Sequence, residues 1–168
     1  MEVKSGAKLM MPLWDHQKEG VQRGLEESGY GFFFEVGTGK SRTAINVMRH
    51  RYAHRGRVLR TIIFSPKITL TNWYREIVEF SKIHPLDITI LKGTGQKRLA
   101  TFIDKTKDEN VQLTRSHIFI VNYESLEMAP LVKTMADWKP EMIICDEAHR
   151  IKNPKSKRAK SLFPLSDM

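Results

Sequence analysis

The hydrophobic residues of this chain are concentrated in short continuous runs separated by polar segments. Five of these runs are dominated by Phe, Ile and Val and are bounded by Gly, Pro or polar residues, a pattern typical of strands buried on both faces. Strands of this kind form parallel sheets that are covered by helices on both sides. The predicted strands are Gly31–Val36, Thr61–Ser65, Asp87–Leu91, His117–Val121 and Met142–Asp146.

The segments between the predicted strands have apolar residues at helical spacing. Leu70, Trp73, Ile77 and Phe80 form one apolar stripe, which predicts a helix with Trp73 in the core. Further helices are predicted from Lys40 onward, over about residues 15–27, and as a short helix between two loops within residues 92–115. The alternation of strands and helices predicts an α/β fold with a mainly parallel central sheet.

The composition of the chain has an excess of positive charge. The 168 residues include 28 Lys and Arg against 19 Asp and Glu, a net charge of +9, and 40% are hydrophobic. This predicts one folded domain with a polyanionic partner. The single cysteine excludes a disulfide within the chain and a multi-cysteine zinc site. We find no membrane-length apolar run and no signal-like segment, and expect an intracellular protein, in cytoplasm or nucleus depending on the host, without a membrane partner.

A glycine turn follows the first predicted strand and leads into the helix at Lys40. Its residues are Gly37, Thr38, Gly39, Lys40 and Ser41. A strand followed by a glycine turn, a Lys-Ser pair and a helix is the context of a P-loop that binds ATP. The glycines let backbone N–H groups point at phosphate oxygens, with the positive helix end behind them. Lys40 would reach the β and γ phosphates and Ser41 would bind Mg²⁺. Because the first glycine of the full pattern is missing, a simple helix-capping turn remains the structural alternative.

A second glycine segment, residues 93–97, also follows a predicted strand. It lacks Lys-Ser after its second glycine, so it offers neither the phosphate contact nor the metal ligand of a P-loop. We predict that this segment is a loop.

Two adjacent carboxylates, Asp146 and Glu147, end the last predicted strand. Such a pair is costly unless a metal ion or a reacting water needs it. We expect Asp146 to hold Mg²⁺ and Glu147 to orient and deprotonate the water that attacks the γ-phosphate. Lys40 and Asp146 would meet at the sheet edge where open α/β sheets bind ligands. The alternative is a solvated acidic turn that caps a helix.

Cys145 and His149 flank the acidic pair. We predict that Cys145 is a buried, unreactive thiol rather than a redox switch, because the neighbouring carboxylates would raise its pKa. His149 follows Asp146 by three residues, and we predict a catalytic position at the outer rim of the nucleotide pocket. An ordinary surface residue is the alternative for His149.

These motifs, in this order, resemble those of the Swi/Snf-type DNA translocases within the superfamily 2 helicases. The resemblance covers about residues 13–160, and its most specific part is D-E-A-H followed by R-I-K-N at residues 146–153. Gln17 takes the position of the family's adenine-reading glutamine. The other matching segments are residues 35–41 with motif I, residues 63–66 and 72–76 with motif Ia and its N-W-x-x-E helix, and residues 121–124 with the T-Y-E segment.

The resemblance implies a P-loop NTPase fold, a RecA-like three-layer sandwich that uses ATP and Mg²⁺. Residues 1–12 would be an N-terminal extension and residues 13–168 the first RecA-like lobe. The second lobe, which carries the arginine finger, would be a separate partner, so the isolated lobe is expected to be nearly inactive. Hydrolysis would be coupled to duplex DNA.

Four residues are expected from the resemblance to contact DNA: Ser65, Lys67, Asn122 and Tyr123. The alternative is that they only form turns at strand ends. Two acid-free basic clusters, residues 42–60 and 150–160, each hold six Lys or Arg. Either cluster is a DNA surface or a solvated face, and the second lies closer to the acidic pair.

Two other functions remain open at this stage. A strand-separating helicase that acts on RNA or DNA shares the ATPase core, but R-I-K-N after D-E-A-H argues against it. A nucleic-acid-binding scaffold with weakened ATPase is disfavoured by the intact Lys40, Ser41, Asp146 and Glu147.

Overall fold

A four-stranded parallel sheet lies at the centre of the computed structural model, which describes residues 12–32, 37–107 and 117–166. The strand order is β2-β3-β1-β4. In register, Thr61 of β1 lies beside Ile118 of β3 and Met142 of β4. The strands are β1 (Thr61–Ser65), β2 (Ile88–Ile90), β3 (Ile118–Asn122) and β4 (Met142–Cys145).

Four of the five predicted strands are confirmed, with shifts of one or two residues at their ends. Asp87 lies in a short 3-10 turn before β2, and Asp146 follows β4 instead of ending it. The fifth predicted strand was Gly31–Val36. Its first two residues, Gly31 and Phe32, have no regular secondary structure, and residues 33–36 lie outside the described residues. Continuous apolar runs identify doubly buried strands because every side chain of such a strand meets a packed layer.

Six helices occur in the described residues, and the helix predictions are confirmed. They are α1 (Asp15–Glu26), α2 (Lys40–Arg55), α3 (Leu70–Ser81), α4 (Gly95–Thr106), α5 (Ala129–Asp137) and α6 (Lys157–Ser166).

The segment 93–97 is not simply a loop, which corrects that prediction. Gly93 is in the left-handed region (φ 91°), and Thr94 caps α4 by accepting a hydrogen bond from the Lys97 N–H at 3.3 Å. Gly95 is the first helical residue. Glycine weakens helices mainly in their interior, so its position at the start of α4 costs little.

Side chains of the sheet alternate between two apolar cores, which makes a three-layer α/β sandwich. Ile63 and Ile120 pack on one face with α2 and α3, including Trp73 (3% exposed), as predicted. Ile62 and Phe119 pack on the other face with α4, α5 and α6. In the described residues, no helix is long and apolar enough to cross a bilayer.

The amino ends of β1 and β4 are joined by an ion pair. Arg57 donates to both carboxylate oxygens of Glu141, and the Arg60 N–H donates to the same carboxylate at 2.9 Å. The Arg57 hydrogen bond is the largest cause that lowers the pKa of Glu141 to about 2. This edge is opposite to the carboxyl ends of the strands, where the candidate site lies.

Candidate active site

The glycine turn that we predicted as a P-loop, called the P-loop turn below, spans Gly37 to Gly39, and α2 begins directly after it at Lys40. Gly37 and Gly39 both have φ 83°, in the left-handed region that glycine adopts at little cost. A Cβ atom on Gly39 would lie 2.3 Å from Nε2 of Gln17, so no side chain fits there without displacing that amide. The first N–H groups of an α-helix have no acceptors within the helix, and helix N-termini bind phosphate oxygens for this reason. The predicted glycine turn, Lys40 and Ser41 therefore stand at the start of a 16-residue helix.

Helix α1 supports this turn from behind. Nε2 of Gln17 donates to the Thr38 carbonyl at 3.0 Å, and Nε2 of His16 lies 3.2 Å from the same oxygen. The other amide atom of Gln17, Oε1, accepts from the Trp14 N–H at 3.0 Å. Gln17 is 3% exposed, whereas Trp14 is 61% exposed. Gln17 thus holds the loop, and its reading of adenine stays a prediction.

Asp146 is held at the carboxyl end of β4 by side chains from two other elements. Its Oδ2 accepts hydrogen bonds from Oγ of Ser65 at 2.9 Å and from Nε1 of Trp73 at 3.0 Å. Its own N–H continues the sheet by donating to the Phe64 carbonyl at 2.8 Å. No described residue donates to Oδ1, which leaves one carboxylate oxygen for a cation.

Glu147 is more exposed than Asp146. Its backbone is left-handed (φ 51°, ψ 53°), a costly conformation for a residue with a side chain and one that is concentrated at functional sites. The side chain is 46% exposed, with Nε of Arg150 3.6 Å and Nε2 of His149 4.0 Å from its Oε2. The two adjacent carboxylates therefore differ in their surroundings: Asp146 is partly buried and hydrogen-bonded, and Glu147 is in contact with water.

Glu76 joins the site although it was not among the predicted site residues. Its side chain is partly buried on α3. Burial raises the pKa of Glu76, the nearby Ser41 hydroxyl opposes the rise, and the charge of Asp146 adds to it. Its sequence signal was its position three residues after Trp73 on α3, which puts both on one helix face.

The donor set fits Mg²⁺. Ser41, Asp146 and Glu76 offer hard oxygen ligands, and Mg²⁺ is usually bound by one or two carboxylates together with phosphates and water. Within the described residues, no group of three or more His, Cys, Asp or Glu converges as a pre-formed metal cage. The left-handed glycines and the start of α2 likewise fit a nucleotide phosphate chain.

Three of the four predicted DNA contacts point into the protein. Ser65 is fully buried against Asp146, and Tyr123 (1% exposed) donates to the Asp146 carbonyl and stacks on Phe64. Asn122 accepts from Arg98 and from Ser125. Lys67 is exposed. All four contacts stay predictions, and the burial of Ser65 and Tyr123 favours a role in positioning Asp146.

Cys145 is the last residue of β4, partly buried and packed against the second apolar core. Burial is the main cause that raises the pKa of its thiol, to about 12, and the Tyr123 hydroxyl opposes the rise. The cause we expected, the neighbouring carboxylates, is not among those found. The thiol is protonated at neutral pH and therefore a poor nucleophile.

The two basic clusters have different surroundings. In the first, Arg51 donates to the carbonyl of Gly24, Arg57 and Arg60 contact Glu141, and Arg42 lies over the Phe80 ring. In the second, Arg158 pairs with Glu127 at 2.7 Å. The exposed lysines of the second cluster are Lys152, Lys155, Lys157 and Lys160.

Comparison with known proteins matches almost the whole chain to one family. The sequence model of the SNF2-related domain matches residues 14–167. The chain is 28% identical to the DNA repair and recombination protein RAD54 of rice, over 94% of this chain and 17% of the relative. It is 25% identical to the mouse RAD54-like protein, over 95% of this chain and 22% of the relative.

A solved structure shares the fold. It is the SWI2/SNF2 ATPase core of Sulfolobus solfataricus in complex with dsDNA, matched with a TM-score of 0.67 and 18% identity over 98% of this chain and 32% of that chain. The chain thus spans less than a third of the relatives and of the solved structure that it resembles.

Proposed function

The chain belongs to the SNF2-related domain family, and from this premise we propose that it is the first RecA-like lobe of an ATP-dependent motor on duplex DNA. One observation carries the proposal. The Asp146 carboxylate after β4 accepts hydrogen bonds from Ser65 and from Trp73 of helix α3, and α3 also packs against α2, which begins at the glycine turn. This packing supports a single site built from two motifs that are more than a hundred residues apart.

Each residue of the site has a role in the proposal. Lys40 binds the β and γ phosphates, the backbone of Gly37, Thr38 and Gly39 surrounds them, and Ser41 with Asp146 holds Mg²⁺. Bound Mg²⁺ neutralises charge on the phosphate oxygens.

The outward carboxylate of Glu147 orients a water and accepts its proton. His149, 4.0 Å from that carboxylate, lies at the rim of the site. The exposed Trp14 ring beside the P-loop turn offers a surface on which adenine can stack.

The proposal also covers partners and location. The names of the relatives concern DNA repair and recombination, and the solved relative is bound to dsDNA. We infer a duplex DNA partner, a second RecA-like lobe that supplies an arginine, and an intracellular location, in cytoplasm or nucleus. Such an arginine contributes about 10³- to 10⁵-fold in rate in other phosphoryl-transfer enzymes, so we expect very slow turnover without it.

Replacement of Lys40 tests the nucleotide site. We expect Lys40→Ala to abolish ATP binding, because the variant loses the only side-chain cation of the proposed phosphate contacts. Affinity is measured with a fluorescent ATP analogue in the presence of Mg²⁺. Lys18→Ala is the matched control, since Lys18 is exposed on α1 and, among the described residues, forms an ion pair only with the exposed Asp15. Unchanged affinity in Lys40→Ala would refute the P-loop assignment.

A further inference from the structure

A groove lies beside the segments that enter β1 and β4, at the opposite edge of the sheet from the candidate active site. Its volume of about 780 Å³ is within the range of ligand-binding clefts. One wall is formed by the carboxyl-terminal part of α2, where side chains at positions i and i+4 lie side by side on one helix face. The side chains of this wall are His50, Arg51, His54 and Arg55.

Three of these four side chains have no role within the fold. Arg51 donates to the Gly24 carbonyl at 3.0 Å and so fastens α1 to α2. His50, His54 and Arg55 are exposed, and within the described part of the chain none of them forms a hydrogen bond or an ion pair. The negative end of a helix favours cations in the last turn, which accounts for His54 and Arg55 but not for His50, one turn earlier.

The acidic residue of the groove is already paired. Glu141 accepts hydrogen bonds from Nη1 of Arg57 at 2.8 Å and from the Arg60 N–H at 2.9 Å. Its charge is therefore compensated from behind, and the charge of Arg55 remains available to a ligand. Guanidinium groups bind carboxylates through two parallel N–H bonds, and an imidazole ring supplies at least one further donor. The groove is thus complementary to a ligand with several carboxylates.

Two leucines give the groove an apolar part. Leu59 is buried, and Leu25 of α1 is 39% exposed. A peptide can place an apolar side chain against these leucines while its carboxylates reach the donors on α2. The phosphate backbone of DNA has no such side chain. The combination of donors and leucines in one concave site therefore favours an acidic peptide over a nucleic acid.

We propose that this groove binds an acidic peptide segment of a partner protein. The carboxylates of the segment contact Arg55, His50 and His54, and one of its apolar side chains packs against the two leucines. This interaction is separate from the proposed nucleotide site, because it uses the other edge of the sheet. It gives a role to Arg55, whereas Arg51, Arg57 and other arginines of the first basic cluster are occupied within the protein.

The test uses a fluorescein-labelled Glu-rich peptide with a central Leu, and fluorescence anisotropy measures its affinity. We expect the wild type to bind this peptide, to bind a version with Ala in place of Leu several-fold more weakly, and not to bind a version with Gln in place of Glu. Arg55→Gln should weaken binding about tenfold, the effect of one lost hydrogen bond to a charged group. Lys105→Gln removes the same charge from an exposed position on α4 and is the matched control.

Four results would overturn the proposal. They are no binding of the Glu-rich peptide to the wild type, equal weakening in Arg55→Gln and Lys105→Gln, and the two outcomes that assign the groove to another occupant. A short DNA duplex whose affinity falls in Arg55→Gln while peptide affinity is unchanged would assign it to nucleic acid. Self-association of the wild type that disappears in Arg55→Gln would assign it to a second copy of the chain. If Arg55→Gln fails to fold, His54→Gln takes its place.

Discussion

Gly39 is the residue at which the P-loop turn tolerates least change. Its φ of 83° is unfavourable for any other residue, and an added Cβ would lie 2.3 Å from the Gln17 amide that bonds to Thr38. Gly56, at the other end of the same helix, has a similar φ of 68° but nothing within 4 Å of an added Cβ. Substitution of Gly56 therefore introduces backbone strain alone, whereas substitution of Gly39 introduces backbone strain and a steric conflict with Gln17.

We expect Gly56→Ala to lower the free energy of unfolding by about 1 to 2 kcal/mol, the cost of a left-handed alanine, and to leave nucleotide affinity unchanged. Gly39→Ala should cost more, because it also displaces the Gln17 amide, and should weaken nucleotide binding. Chemical denaturation and binding of a fluorescent ATP analogue measure the two effects. If both variants lose the same amount of stability and both bind nucleotide as well as the wild type does, Gln17 does not support the loop.

At the scale of elements, the Glu141 ion pair joins the segments that enter β1 and β4. Arg57 holds the pKa of Glu141 at about 2, against an ordinary value of 4.5, so the pair stabilises the fold above pH 4.5. That contribution is lost as pH falls from about 4.5 towards 2, since protonated Glu141 cannot accept both Arg57 bonds.

We expect Glu141→Gln to lower the free energy of unfolding by about 1 to 3 kcal/mol at neutral pH. The difference from the wild type should shrink below pH 4.5, as measured by denaturation across pH. Glu19→Gln is the control, because the exposed pair of Glu19 with Arg23 on α1 contributes well under 1 kcal/mol. A difference that is constant from pH 7 to pH 3 would argue against the pair.

The elements themselves were largely predictable, because apolar runs and helical stripes report local burial. Trp73 was predicted in the core from spacing alone, and it is buried. The sequence did not reveal that the same ring donates to Asp146. That contact joins residues far apart in the chain, and no local pattern encodes the packing of α3 against α2, β2 and β3. The start of α4 was missed because glycine is ambiguous between turn and helix end.

At the scale of the whole molecule, the charge of +9 is not one uniform surface. Arginines of the first basic cluster form contacts inside the protein: Arg51 with main-chain carbonyls, Arg57 and Arg60 with Glu141. These contacts support the alternative in which that cluster is structural. The second cluster begins four residues after Asp146 and keeps four exposed lysines. Phosphate contacts are therefore expected there.

Neutralising those lysines tests whether position or net charge attracts DNA. The cluster variant replaces Lys152, Lys155, Lys157 and Lys160 by Gln, and a control replaces the exposed Lys18, Lys92, Lys105 and Lys133, so both change the net charge from +9 to +5 (9 − 4). Binding to a short duplex is followed by fluorescence anisotropy across a salt series. Each lost phosphate contact reduces the slope of log K against log salt by about 0.9. We expect a reduced slope only in the cluster variant, and equal reductions in both would show that net charge alone governs the attraction.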